Sequence, residues 1–168
     1  MTPPAWALTF AYWLHMLATV TWIGGLAALS LFVLPAARRN LDAISYFNFL
    51  DGIQRRLDPL AWLSLSVLIA TGLVQMSSSP YYQGFLTVGN TWAGAILLKH
   101  LVVLIMVGIN AWITWGVIPR LRRAALFISK GRETLGIDRF ERQSQRLLRL
   151  NLLLSVIVLA LTAIARTA

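Results

Sequence analysis

Residues 6–34, WALTFAYWLHMLATVTWIGGLAALSLFVL, contain no lysine, arginine, aspartate or glutamate in 29 consecutive positions. A helix crosses the hydrocarbon core of a bilayer, about 30 Å thick, with roughly 20 apolar residues. We therefore predict that this stretch spans a membrane. It has no basic segment before it and is much longer than the apolar part of a cleavable signal peptide, so we expect it to remain in the mature protein.

Three more apolar stretches have the length of a span. We predict membrane-spanning helices at about 6–34, 60–76, 92–118 and 150–165. The 168 residues are 58% apolar and 12% charged, against roughly a quarter charged in a soluble domain. The predicted fold is a single all-α domain over residues 1–168, an integral membrane four-helix bundle in up-down-up-down order. The absence of cysteine excludes disulfides, thiolate metal sites and c-type haem attachment.

The charged residues predict the orientation of the bundle. Of the 15 lysines and arginines, 13 lie in the connection between spans 1 and 2 or in the one between spans 3 and 4, together with all six acidic residues. The positive-inside rule makes this side cytoplasmic and both termini external, in a bacterial-type inner membrane. We attribute the net charge of +9 to contact with anionic inner-leaflet lipids and not to nucleic-acid binding.

Apolar residues also recur at helical spacing within the first cytoplasmic connection. They are Ile44, Phe47, Leu50, Ile53 and Leu57. An amphipathic pattern between polar residues is typical of a helix that lies on the membrane surface. The sequence therefore predicts a short cytoplasmic interfacial helix before span 2.

The two histidines, His15 and His100, both lie inside predicted spans, where an ionisable side chain is costly and marks a functional candidate. Both are roughly 12–14 Å below the outer boundary at 1.5 Å per residue. Spans 1 and 3 run in the same direction and lie diagonally in an up-down bundle. This arrangement predicts the two axial ligands of one b-type haem. The alternative is two unrelated histidines, each hydrogen-bonded to a neighbouring span.

Four further residues join the predicted haem site. Lys99 and Arg166 are the only cations of the outer half, which has no acidic residue, so we expect them to pair with haem propionates or porphyrin carboxylates. Thr19 and Trp22 follow His15 on one helix face. The Thr19 hydroxyl, or equally a backbone carbonyl, is expected to bond the second ring nitrogen of His15.

Copper binding is the main alternative to haem. Met16 and Met106 join the two histidines in a candidate soft site, because thioethers suit Cu(I) and imidazoles suit copper in general. The corresponding functions are electron transfer by a small b-type cytochrome and copper transport or homeostasis across the membrane. A third possibility is a cofactor-free accessory subunit. Expected partners are a larger respiratory or photosynthetic complex, or further copies of this chain.

Enzymatic activity is left open by the sequence. Every acidic residue lies on the predicted cytoplasmic side, far from both histidines, and there is no cysteine nucleophile. The sequence therefore lacks the paired carboxylates near a histidine that hydrolytic acid–base catalysis would need. If the protein is an enzyme, we expect an oxidoreductase-type haem protein.

Three segments resemble known families. They are WLHMLATVTWIGGLAALSLFVLP (13–35), ATGLV (70–74) and LLKHLVVLIMVGINAWITWGVIP (97–119). They resemble the copper-resistance D (CopD) family, and the four-helix unit is similar to the HemJ-type protoporphyrinogen oxidases, which bind haem b. The resemblance implies a four-helix membrane fold with copper or haem chemistry. It places His15 and Lys99 at the positions of the HemJ helix-one histidine and helix-three lysine, whereas His100 lies outside both patterns.

Overall fold

The computed structural model describes residues 3–82, 84, 89–129 and 137–167, without the side chains at 43, 124, 125, 128, 129 and 137–141. Every regular element within these ranges is a helix. Four helical segments are long and apolar enough to cross a membrane, namely Ala5–Asn40, Ile44–Ser77, Thr91–Arg123 and Arg142–Thr167. The prediction of an all-α chain with four membrane spans is therefore confirmed.

Six α-helices and two π-helical turns build the four spans. Span 1 is α1 (Ala5–Ala27), a π-helical turn (Ala28–Val33) and α2 (Leu34–Asn40). Span 2 is α3 (Ala43–Ser77). Span 3 is α4 (Thr91–Ala111), a π-helical turn (Trp112–Val117) and α5 (Ile118–Ser129), and span 4 is α6 (Ile137–Thr167). Each span is longer than predicted because its helix continues past the apolar stretch into the polar flanks.

Side-chain caps start two of these helices. The carboxylate of Asp42 accepts a hydrogen bond from the Ser45 backbone N–H before α3, and hydrogen bonds from Ser45 hold the pKa of the Asp42 carboxyl below its ordinary value. The Asn90 amide oxygen accepts from the Ala93 N–H at 2.7 Å before α4. Both side chains satisfy N–H groups that have no partner within the first helical turn.

The predicted interfacial helix is not a separate element. Its residues form the N-terminal part of α3, which continues without interruption through Pro59 to Ser77. Tyr46 and Phe47 are buried, and they pack against residues of spans 1 and 3, namely Ala37, Val117 and Leu121. The prediction of a separate helix was wrong because a helical apolar period indicates that one face is buried, but not whether lipid or protein buries it.

The spans pack mainly as two antiparallel pairs. α1 packs along α3 and α4 packs along α6, while α1 also touches α6 and α3 touches α5. Spans 1 and 3 therefore lie diagonally in the bundle, as predicted. We call the end that carries the arginines of α2 and α5 the basic end.

Two further apolar clusters lie along the bundle, besides the one that contains Tyr46 and Phe47. The central cluster contains Trp22, Leu65, Val102, Met106 and Leu161 and so joins all four spans. The basic-end cluster contains Leu34, Ile113 and Leu148. Because lipid is as apolar as these side chains, close packing between them, and not the exclusion of water, holds the spans together at these levels.

Candidate functional site

The imidazole of His15 is held by a hydrogen bond to span 2. Its Nδ1 atom lies 2.8 Å from the hydroxyl oxygen of Thr71. That hydroxyl donates its only hydrogen to the Val67 carbonyl at 2.6 Å, so it accepts from His15. This arrangement fits a neutral imidazole with its proton on Nδ1, in which Nε2 carries the lone pair that a metal ligand needs.

The antiparallel packing of α1 on α3 positions this pair. One turn away, the Gln75 side-chain amide donates to the Ala11 carbonyl at 3.3 Å. At Gly72, a Cβ atom would lie 3.6 Å from His15 Cε1, so the ring rests directly against the α3 backbone. Thr71 and Gly72 were missed as site residues by the sequence reasoning, although both belong to the ATGLV motif that carries the family resemblance.

Thr19 and Trp22 have different surroundings from those expected. The Thr19 hydroxyl donates to the backbone carbonyl of His15 at 2.7 Å, within its own helix. Thr71 and not Thr19 is thus the hydrogen-bond partner of the His15 ring. Trp22 is 7% exposed and belongs to the central cluster, about two helical turns from His15.

Lys99, and not His100, shares the buried face of α4. Val102, Met106 and Asn110 lie on this face, at positions three, seven and eleven after Lys99. Lys99 is close enough to His15 for an electrostatic interaction. His100 lies about 100° round the helix, and its Nδ1 is 2.7 Å from the Ile96 carbonyl. Lys99 therefore lies on the buried face of α4, and His100 lies on its flank.

Arg166 lies at the end of the bundle opposite the basic end, where it contacts Tyr12. Its guanidinium lies over the ring of Tyr12, 5.3 Å from the ring centroid. Tyr12 is three residues before His15 and lies on a neighbouring part of the same helix face. This cation–π contact holds the last turn of span 4 against span 1. It places a second cation, besides Lys99, in the half of the bundle away from the basic end.

The methionines separate into exposed and buried ones. Met16 is 66% exposed on the outside of the bundle, so it does not share a site with the inward-facing His15. Met106 is 5% exposed within the central cluster, and Met76, one turn after Gly72, is 9% exposed. Within the described ranges, no group of three histidines and carboxylates is arranged to hold a metal ion.

If His15 ligates a metal ion, replacing Thr71 by valine should weaken metal binding by about 10-fold or more, because loss of a bond that orients a ligating histidine typically costs 10–100-fold. Titration of the purified variant with Cu(I) against a competing chelator measures this. Thr19→Val is the matched control, because the Thr19 hydroxyl bonds only the backbone carbonyl of its own helix. Equal affinity of the two variants would contradict the role given to Thr71.

The comparisons with known proteins agree with this architecture. The family model described as copper resistance protein D matches residues 51–165, which is 115 of the 168 residues. The match covers most of span 2 and nearly all of spans 3 and 4, including Thr71 and Lys99, and begins after the helix that carries His15. Neither the search of curated proteins nor the search of solved structures found a match. Because the family model matches more than half of the chain, this membrane protein belongs to the copper resistance protein D (CopD) family.

Proposed function

We propose that the protein moves copper ions through the membrane and that His15 is their ligand inside the bundle. The observation that carries this proposal is the hydrogen bond from His15 Nδ1 to Thr71, which directs the lone pair to Nε2. Metal-ligating histidines in proteins are oriented by such a bond from the other ring nitrogen. Membership of the copper resistance family makes copper the metal to test first.

Buried thioethers support copper as the cargo. Met76 lies one helical turn after Gly72, farther from the basic end. Met106 lies in the central cluster. Thioether sulfur and imidazole nitrogen suit Cu(I), while carboxylates suit harder ions. An ion on this path meets Met76, His15 and Met106 at successive levels of the bundle. We further propose that the basic end faces the cytoplasm, as the positive-inside rule predicts.

Haem b is the second candidate, favoured by the charges near His15. Lys99 interacts electrostatically with His15, Arg166 lies over Tyr12, and the sequence has no acidic residue in this half of the bundle. His15 fits one axial ligand, and the two cations fit the carboxylates of a porphyrin. The flank position of His100 does not fit paired axial histidines. A bound haem would supply one-electron transfer.

The charge of Lys99 distinguishes the two candidates. In Lys99→Gln, copper affinity should rise by about 10-fold, because an ammonium near the ligand repels a metal cation by the order of 1–2 kcal/mol. Haem occupancy should instead fall, because its carboxylates lose a partner. Arg56→Gln, at an exposed arginine of the basic end, is the control for a general effect of charge. A decrease in copper affinity of the Lys99 variant would contradict the copper proposal.

The direct test uses the purified chain in liposomes that contain a Cu(I) chelator. We expect copper uptake above the rate of protein-free liposomes, and stoichiometric copper in the purified protein by mass spectrometry. Oxidised and dithionite-reduced absorption spectra are recorded on the same sample. A sharp reduced α-band with about one iron per chain, together with no uptake of copper, would overturn the proposal in favour of haem.

A further inference from the structure

Three buried polar side chains lie at one level of the bundle, nearer the basic end than His15. Ser30, Asn110 and Asn151 are 5%, 9% and 0% exposed and come from spans 1, 3 and 4. Each is one helical turn from a member of the basic-end cluster on its own helix; these members are Leu34, Ile113 and Leu148. One turn the other way, Leu26, Met106 and Leu154 belong to the central cluster or pack on it. The three residues therefore form a polar layer between two apolar clusters.

Four polar atoms of this layer lack hydrogen-bond partners within the described part of the chain. They are Ser30 Oγ, Asn110 Nδ2, and Asn151 Nδ2 and Oδ1, each with less than 1 Å² accessible. Buried polar groups are paired in native proteins because an unpaired one costs free energy, and lipid offers no substitute for water. Four such atoms at one level, with hydrogen-bond donors and acceptors both present, indicate a shared polar ligand.

A small cavity lies beside Ser30, on the side of the layer that faces the basic end. It is lined by Ser30, Leu34, Pro35, Gln145 and Arg149, and its volume is about 10 Å³, close to the space that one water molecule needs. Ser30 lies in the π-helical turn of span 1, and the π-helical turn of span 3 begins two residues after Asn110. Such turns interrupt the regular i→i+4 ladder and occur frequently at functional sites.

We propose that the polar layer binds internal water, which enters from the basic end through this cavity, and that the central cluster closes the path toward His15. Water fits because the unpartnered atoms are uncharged and include both hydrogen-bond donors and acceptors. An anion would need a cation among these atoms, whereas Arg149, which lines the cavity, is exposed and is not one of them. Cu(I) would need a soft donor. In this arrangement, only the central cluster separates the water in the polar layer from His15. This inference does not depend on which metal or cofactor the protein handles.

The absence of cysteine makes a direct test possible, because a single introduced thiol has the only S–H infrared band of the protein. In Ser30→Cys, we expect this band to shift to the S–D position soon after transfer of the reconstituted protein into D2O. Ser64→Cys is the matched control, since Ser64 is also 5% exposed but its oxygen is not among the unpartnered buried atoms. Its band should persist at least about 10-fold longer. Equal persistence of the two bands would overturn the proposal.

Asn151→Leu supplies a second measurement with a defined sign. Leucine has a similar size but cannot hold water. If water satisfies the amide, the variant should have a lower unfolding temperature, and the thiol exchange of Ser30→Cys on this background should slow by about 10-fold. If the amide is dry and unpaired, its removal should raise the unfolding temperature and leave the exchange unchanged. That second outcome would also overturn the proposal.

Discussion

Replacing His15 by alanine is expected to abolish copper transfer or to reduce its rate by more than roughly 100-fold. Loss of a residue that only orients a ligand by a hydrogen bond typically costs roughly 10- to 100-fold, and loss of the ligand itself should cost more. The reason is that, in the proposed function, the His15 imidazole bonded to Thr71 is the nitrogen ligand of the ion, and no aspartate or glutamate among the described side chains lies near it to replace it. The measurement is the initial rate of Cu(I) uptake into liposomes, normalised to folded protein.

Two control variants sharpen this experiment. Met16→Leu should transport copper at the wild-type rate, because Met16 is on the outer surface of the bundle. His100→Ala should have a smaller effect than His15→Ala, because Lys99 and not His100 shares the buried face of α4 with Val102 and Met106. Wild-type transport by His15→Ala would refute the role of His15. Equal losses in the two histidine variants would restore the paired-histidine arrangement.

Trp22→Ala is expected to have the largest effect on stability, a loss of about 3–5 kcal/mol in the free energy of unfolding. Trp22 is 7% exposed in the central cluster, where it packs with residues of the other three spans. Removing the indole leaves a cavity that the surrounding helices fill only in part. Unfolding in mixed detergent micelles, with increasing SDS and followed by circular dichroism, measures the change.

The control for Trp22 is an exposed tryptophan of the same span. Trp6 is 74% exposed, so Trp6→Ala should change the free energy of unfolding by less than about 1 kcal/mol. A Trp22→Ala variant that keeps wild-type stability but loses its metal or haem would contradict the packing role. It would instead support the direct contact with a cofactor that the sequence predicted for Trp22.

The spans and the candidate site differ in how far the sequence could predict them. Residues 6–34 are recognisable as a span because they contain no charged side chain, and the cost of placing charges in lipid can be judged from the sequence. The interfacial helix was wrongly separated from α3. Lipid was expected to bury the apolar face of this segment, whereas Ala37, Val117 and Leu121 of the protein pack against it. The amphipathic pattern is identical in the two cases.

The sequence by itself determined the number of spans, the grouping of the charges and the presence of His15, Lys99 and His100 within apolar helices. These properties follow from transfer free energies that accumulate residue by residue along a chain. Only the tertiary structure decided that Thr71 bonds the His15 ring, that the face of α4 which carries Lys99 is the buried one, and that Ser30, Asn110 and Asn151 share one level. Those relations depend on the rotation and register of one helix against another, which close packing across the whole bundle sets.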